Sequence, residues 1–170
     1  MPPTNYTYTI RHAEPSDYEA LQAIYAGPKA VWGVLQLPFP SAEMWRKRLA
    51  EPPEGVFRLL ACYEGEAVGL LGLHTFPNFP RRRHVGQLGM TVRDDWQGKG
   101  VGTALMHAAV DLADNWLNLN RLDLEVYTDN EPAIRLYKKF GFTIEGTLAR
   151  YAFRAGQYAD VYAMARLKPL

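Results

Sequence analysis

At 170 residues the chain has the size of one ordinary domain, and a composition 48% hydrophobic and 22% charged excludes a disordered chain. A formal charge of +1 gives no long-range field, so nucleic-acid binding as the main task is excluded unless a local basic patch exists, and Arg81, Arg82 and Arg83 form the one such cluster. The lone Cys62 excludes a disulfide framework and a cysteine zinc site. No apolar run approaches the roughly 18 to 20 residues that span a bilayer, and the amino terminus lacks a charged and then apolar leader. The expectation is a single domain over residues 1–170, cytoplasmic, without a metal.

After a short loose start, alternation predicts a first strand over Tyr8 to His12. Ser16, with Glu19 three residues on, has the spacing of a capping box, and Leu21, Ile24 and Tyr25 recur beyond it at helical spacing. The next segment, GPKAVWGVLQLPFPS, carries three prolines and several large apolar groups, which suits a loop or broken helix over a pocket. A second helix is expected from Ser41 to Ala50, with Met44, Trp45, Arg48 and Leu49 on one face and Pro52 and Pro53 ending it. RLLACYE and AVGLLGLHTF flank a turn at Glu64 to Glu66 and read as an antiparallel hairpin, with Cys62 as a buried thiol.

A third strand runs from His84 to Val92, where Gly86 and Gly89 point to a bulge or to close approach of a ligand. From Gly100 to Leu117 the pattern is helical, with Val101, Leu105, Ala108, Leu112 and Trp116 on one stripe. RLDLEVYT reads as a strand, EPAIRLYKKFGF as a short helix closed by Gly141, and the tail as two strands around Ala155 and Gly156. The order βααβββαβαββ implies an α/β sheet covered on both faces.

The most informative residues are Trp96 to Gly102, WQGKGVG, between a strand and an amphipathic helix. Gly98, Gly100 and Gly102 free the backbone and keep Cβ atoms away, and a helix N-terminus directly after them presents unpaired N–H groups to an anion. Neither G-x-G-x-x-G nor a P-loop is in register. Further on, DNEPAIRLYKKFGF holds Asn130, which also suits a helix N-cap, and Tyr137 on a stripe with Ala133, Leu136 and Phe140, where it also suits a core tyrosine.

The loop resembles the Q/R-x-x-G-x-G/A signature of the GNAT superfamily through Gln97, Gly100 and Gly102, and the downstream segment resembles the superfamily's N-x-x-A-x-x-L-Y-x-x-x-G-F. Nearly the whole chain, including RHAEPSDYEAL, LQLPFPS, DNWL, EGT and GQYADVYAMAR, is similar to the bacterial YhhY-like branch, associated with N-acetylation of free L-amino acids. The resemblance implies a mixed, mostly antiparallel sheet of about seven strands and acetyl-CoA as co-substrate. It implies that Gln97, Gly98, Lys99, Gly100, Val101, Gly102 and Thr103 hold the pyrophosphate. Backbone groups of Leu88 to Val92, Met90 and Val92 among them, would pair with pantetheine where this strand diverges from the next. A free N–H near Gly89 or Met90 would face the oxyanion.

Tyr137 is then the expected general acid, and Asn130 orients Tyr137 or the cofactor. Many members carry Glu or Asp on the central strand where this chain has Gln87, so the base is left to His84, His74, Glu125 or a water relay; His84 carries a distinct test through a basic limb near pH 6 to 7. Acceptor contacts are expected from Trp32 to Phe39, with Trp32, Leu35 and Gln36 foremost, from Gln87, from Phe76 to Arg83, and from Arg150 and Tyr151. For a free amino acid, one of Arg81, Arg82, Arg83 or Arg150 would take the carboxylate. A peptide N-terminal acetyltransferase and a non-catalytic CoA-binding module remain as alternatives, and a C-terminal hairpin rich in Tyr, Phe and Val suits a homodimer.

Overall fold

Period-2 alternation sends neighbouring strand residues to opposite faces of a sheet, and the strands of this chain use both faces. The computed structural model describes residues 5–169; residues 1–4, the first part of the expected loose start, and residue 170 lie outside the described residues. In chain order the elements are β1 (Thr9–His12), α1 (Tyr18–Ala26), α2 (Pro28–Gly33), α3 (Ala42–Ala50), β2 (Val56–Tyr63), β3 (Glu66–Thr75), β4 (Val85–Val92), α4 (Val101–Asp111), β5 (Arg121–Tyr127), α5 (Glu131–Lys139), β6 (Thr143–Arg154) and β7 (Gln157–Leu167). They form one seven-stranded α/β sheet in the order β1-β2-β3-β4-β5-β7-β6. Every pairing is antiparallel except β4 with β5.

Leu59 and Ala61 of β2 face one core with Leu71 and Leu73 of β3, under Val101, Leu105 and Met106 of α4 and Ile134 and Tyr137 of α5. Leu60 and Cys62 point the other way, to Leu21, Ile24 and Tyr25 of α1 and Trp45 and Leu49 of α3. Fully burying one such side chain stabilises by about 1.5 to 3 kcal/mol, so helices on both faces are what these doubly apolar strands require. Among the described residues no helix is long and apolar enough to cross a membrane.

Several local expectations change. Between α1 and α3 the proline-rich segment forms the short helix α2 and then irregular chain to Pro40, so the observed order has three helices after β1 where the sequence predicts two. The capping box sits two residues earlier than expected. Asp17 reaches back to the Glu14 N–H (2.7 Å), and Pro15–Asp17 form a 3-10 turn that leads into α1. Tyr6, in the expected loose start, packs on Tyr63 and Trp96, as does Tyr8, which directly precedes β1.

β4 contains no bulge, because its ladder to β3 runs unbroken from Gly69↔Val92 to Thr75↔Gly86. At Gly86 a Cβ would meet Leu119, Leu73 and Leu122 at 2.8 to 3.1 Å, so that glycine serves close packing. Trp116 leaves the predicted helical stripe and is 76% exposed. Leu112–Trp116 form a π turn whose extra residue rotates the stripe and buries Ala113 instead. Asp114 anchors that turn, holding Arg166 with its carboxylate (2.7 Å) and accepting from Lys168 Nζ at its carbonyl (2.7 Å).

Candidate active site

β4 and β5 pair only over Val85–Gln87 with Arg121–Asp123 and then part. Beyond Gln87, β4 keeps β3 on one side and has no strand on the other, so main-chain groups between Leu88 and Val92 face a gap. β5 continues against β7 to Tyr127. Over this gap lies a cavity of about 1320 Å³ that runs from the loop before α4 to the space between the sheet and α1–α3.

One end is made of backbone. Gly98 (φ 75°) and Gly100 (φ 88°) take left-handed conformations that residues with a Cβ resist, and Gly100 is the N-cap of α4 with no side-chain cap. The first intrahelical bond runs from the Ala104 N–H to the Gly100 carbonyl (3.1 Å), which leaves the Val101, Gly102 and Thr103 amides as free donors at the positive end of the helix. Gly102 has another reason to lack a side chain: a Cβ there would lie 2.9 Å from Leu136 of α5 and 3.3 Å from Met90. Gln97 steadies the loop by donating Nε2 to the Val92 carbonyl (3.2 Å). Free amides at a helix start beside an unpaired strand edge fit the diphosphate and the amide-bearing arm of acetyl-CoA.

Asn130 caps α5, its side-chain oxygen accepting from the Ala133 N–H (3.3 Å), and it also lines the cavity. Two turns on, Tyr137 lies on the cavity wall against Phe142 with 5% of its surface exposed, and it makes no hydrogen bond to a described residue. Burial pushes its phenol up to about 12, so it is fully protonated at neutral pH.

The other end is made of side chains. Cross-strand register places Arg58, Gly72 and Gly89 in one row and His74 and Gln87 in the next, all on the face toward α1–α3. Glu125 of β5 stands across the gap, two residues past Asp123, the last residue paired to β4. Glu125, close by, raises the Tyr151 phenol. Thr91 is a buried polar residue near Tyr25, and burial raises the Tyr25 phenol against the opposing influence of Thr91 and of the Arg48 and Arg58 charges. Burial and the Arg58 charge lower the His74 imidazole, which favours its neutral form.

A partial roof overhangs this end. Arg154 of β6 stacks on Trp32 of α2 (3.9 Å to the ring centroid) and on Tyr127 (4.2 Å), donates to the Trp32 carbonyl (3.0 Å) and pairs with Asp129. The Tyr127 hydroxyl donates to the Val34 carbonyl (3.4 Å). The N-terminus of α2 is capped from afar: Asp94, in the turn after β4, accepts from the Lys29 N–H (2.9 Å) and the Ala30 N–H (2.8 Å).

The cavity thus brings together Met90, Val92, Gln97, Gly98, Gly100, Val101, Gly102, Thr103, Asn130 and Tyr137 with Trp32, Leu35, Gln36 and Gln87. It does not include His84, Lys99, Arg150, Tyr151 or Arg81 to Arg83. His84 precedes β4 and contributes its carbonyl to the Asn120 and Arg121 amides. Lys99 turns outward, its ammonium 4.8 Å from the Trp96 ring centroid and its carbonyl held by the Tyr8 hydroxyl (2.6 Å). Arg82 stacks on Phe76 (4.1 Å) away from the gap, and Arg150 lies over Tyr158 (5.8 Å). Arg48, Arg58, Thr91, Arg154 and Asp94 are site residues that the sequence reading missed. Arg58 alone left a signal, a charge inside the apolar run VFRLLACY. Among the described residues no three His, Cys, Asp or Glu side chains cluster to hold a metal.

A strand-to-helix glycine loop, a parted strand pair and a buried phenol beside the gap define an acyl-CoA-dependent N-acyltransferase. The chain belongs to the Acetyltransferase (GNAT) family, whose pattern matches residues 18–142, and it has that family's α/β fold and acetyl-CoA-dependent N-acetyltransferase activity. It is 48% identical to the L-amino acid N-acetyltransferase AaaT of Escherichia coli (strain K12), over 94% of this chain and 97% of that protein. It is 32% identical to the spermidine N(1)-acetyltransferase of the same organism, over 72% of this chain and 63% of that one. Among solved structures, ribosomal-protein-alanine N-acetyltransferase from Brucella melitensis shares the fold with a TM-score of 0.83 at 27% identity, covering 94% of this chain and 99% of that chain.

Proposed function

We propose that this chain is a cytoplasmic enzyme that acetylates the amine of free L-amino acids. The observation that carries the reading is the overhung acceptor end: Trp32, latched by Arg154, narrows the approach that a peptide acceptor would need. The 48% identity to a protein named for L-amino acids, over nearly its whole length, supports the same substrate class.

When bound, acetyl-CoA supplies the acetyl thioester. The amides of Val101, Gly102 and Thr103 hold its diphosphate, and the open edge of β4 from Leu88 to Val92 aligns its arm, with a main-chain N–H near Gly89 as donor to the acyl oxygen. Glu125 takes the amine's proton, directly or through water. It is the acceptor-face carboxylate on the strand that borders the gap, whereas His74 lies on β3, one strand further away. Tyr137 delivers a proton to the departing sulfur. Burial opposes the phenolate, but it also raises the proton affinity of a thiolate formed in the same dry site, so the two groups stay matched. Asn130 fixes the start of α5 and so the position of Tyr137.

Thiol release from acetyl-CoA, measured against L-amino acids, their amides, polyamines and short peptides, tests the reading. Turnover with free amino acids and little with peptides is expected, and release with polyamines or peptides alone would reject it. A second copy pairing along the outer strand β6, which exposes Tyr151 and Phe153, would complete a homodimer, to be read by light scattering as twice the chain mass.

A further inference from the structure

Six arginines are at least partly buried: Arg11, Arg58, Arg93, Arg121, Arg154 and Arg166. Five hold carboxylates, namely Asp17, Glu66 with Asp95, Asp123 with Glu145, Asp129 and Asp114. Arg58 has no carboxylate among the described residues. Its recorded bond is a long one to the Arg48 carbonyl (3.4 Å), and burial and the Arg48 charge both weaken its hold on its proton. Arg48, stacked on Trp45 (5.3 Å), has no carboxylate either. The Trp45 indole N–H beside them is buried without a partner. Arg48 is exposed and solvated, but a partly buried guanidinium and a fully buried indole donor left without partners at one end of a cavity are costly unless something else answers them.

The floor in front of Arg58 is low, and the side chain that leans over it is the His74 imidazole, whose Nε2 would lie 3.4 Å from a Cβ at Gly72. Gly72 lies opposite Arg58 and Gly89 opposite Gly72, so the row crossing β2, β3 and β4 carries one side chain and then none. At Gly89 an added Cβ would meet nothing within 4 Å. The trough spans two strand spacings, about 10 Å, from the backbone of Arg58 to the edge of the gap. An extended arginine and a molecule the size of an α-amino acid fill that span together.

We propose that Arg58, with Arg48 beside it, receives the carboxylate of the acceptor and thereby directs its amine toward the gap beside Glu125. The proposal rests on the small-amine reading above and identifies the group that reads the acid. Guanidinium presents paired donors that match a carboxylate, and the same two cations repel a polyamine. The acid-reading arginine is therefore on the floor of the sheet, and Arg81, Arg82, Arg83 and Arg150 are not required.

The test compares the native full-length chain with Arg58→Gln and Arg58→Lys, using the L-amino acid that turns over fastest and its α-carboxamide. In Arg58→Gln, kcat/KM for the acid is expected to fall about 100-fold while that for the amide stays within about 3-fold, the scale of one lost charge-assisted pair. Arg58→Lys keeps the charge without the fork and falls between. Calorimetric titration of the same amino acid into the CoA-loaded protein should show the matching loss of affinity. The melting temperature should hold or rise, because a partly buried charge without a carboxylate partner is removed; a structural role would lower it. Equal losses on acid and amide, or a lowered melting temperature with unchanged preference for the acid, would overturn the proposal. Failure of the small-amine reading looks different: the native chain itself would turn over no amino acid.

Discussion

Val101, Gly102 and Thr103 present main-chain N–H groups to one end of the cavity, whereas Arg58, His74, Thr91 and Glu125 present side chains from four strands to the other. The first end depends on chain path: positive φ at Gly98 and Gly100, close packing at Gly102, and the start of a helix. The second depends on which side chain each strand happens to carry toward α1–α3. A backbone-built end can stay the same while single substitutions at the side-chain end change the acceptor, and that separation is open to experiment.

The largest expected effect is at the gap itself. Glu125→Gln is expected to lower kcat/KM by about 10² to 10⁴-fold, the range for a lost general base. Acetyl-CoA affinity should not move. His74→Gln should lower kcat/KM by less than about 10-fold. Should His74→Gln bring the larger loss, the proton acceptor belongs to β3.

Legibility in the sequence follows the same division. Gln97 to Gly102 and Asn130 to Tyr137 are contiguous runs, and a loop built from consecutive amides has to be written in consecutive residues. The acceptor end is assembled by register between strands far apart in sequence. Nothing local marks Arg58 as facing Gly72, or Arg154 as lying on Trp32. Adjacent charge misled in the same way: Arg81 to Arg83 stand out as a cluster because they are exposed on a turn, the setting in which charge needs no partner. His84 and His74 both follow the apolar pattern of strands, and only the ladder shows that His74 shares a row with Gln87 inside the cavity. The fold was more legible, since strand alternation and helix stripes are local. It failed where the period itself changed, at the π turn that exposes Trp116.

Tyr137 lies where the two ends meet and sharpens the contrast with a smaller effect. Tyr137→Phe is expected to lower kcat by about 10 to 1000-fold with acetyl-CoA binding nearly intact, as single-turnover and equilibrium measurements would show. Its titration gives a second readout. Unfolded tyrosine ionises near 10 and the folded phenol at about 12, so below pH 10 both states keep the proton. Between pH 10 and 12 the unfolded chain releases it and the folded chain does not, so stability falls as pH rises, by about 3 kcal/mol from this group. Denaturant midpoints across that window should fall less steeply in Tyr137→Phe. Equal slopes would mean that the phenol is not dry.

Asp94 joins the two ends, and it sets the smallest expected effect. It follows β4 in the turn that leads to the glycine loop, yet its carboxylate caps α2, the helix that carries Trp32 over the acceptor. Gly27 lacks a side chain where a Cβ would run into that carboxylate, so the contact is built into both segments. Removing the cap by Asp94→Ala should cost about 1 kcal/mol, read as a lower melting temperature. The roof should loosen while the amides of α4 stay where they are, so KM for the amine should rise about 3- to 10-fold and the dissociation constant for acetyl-CoA should change by less than about 2-fold. If acetyl-CoA affinity falls in step with the amine, the turn at Asp94 shapes the glycine loop as much as the roof, and the two ends are one mechanical unit.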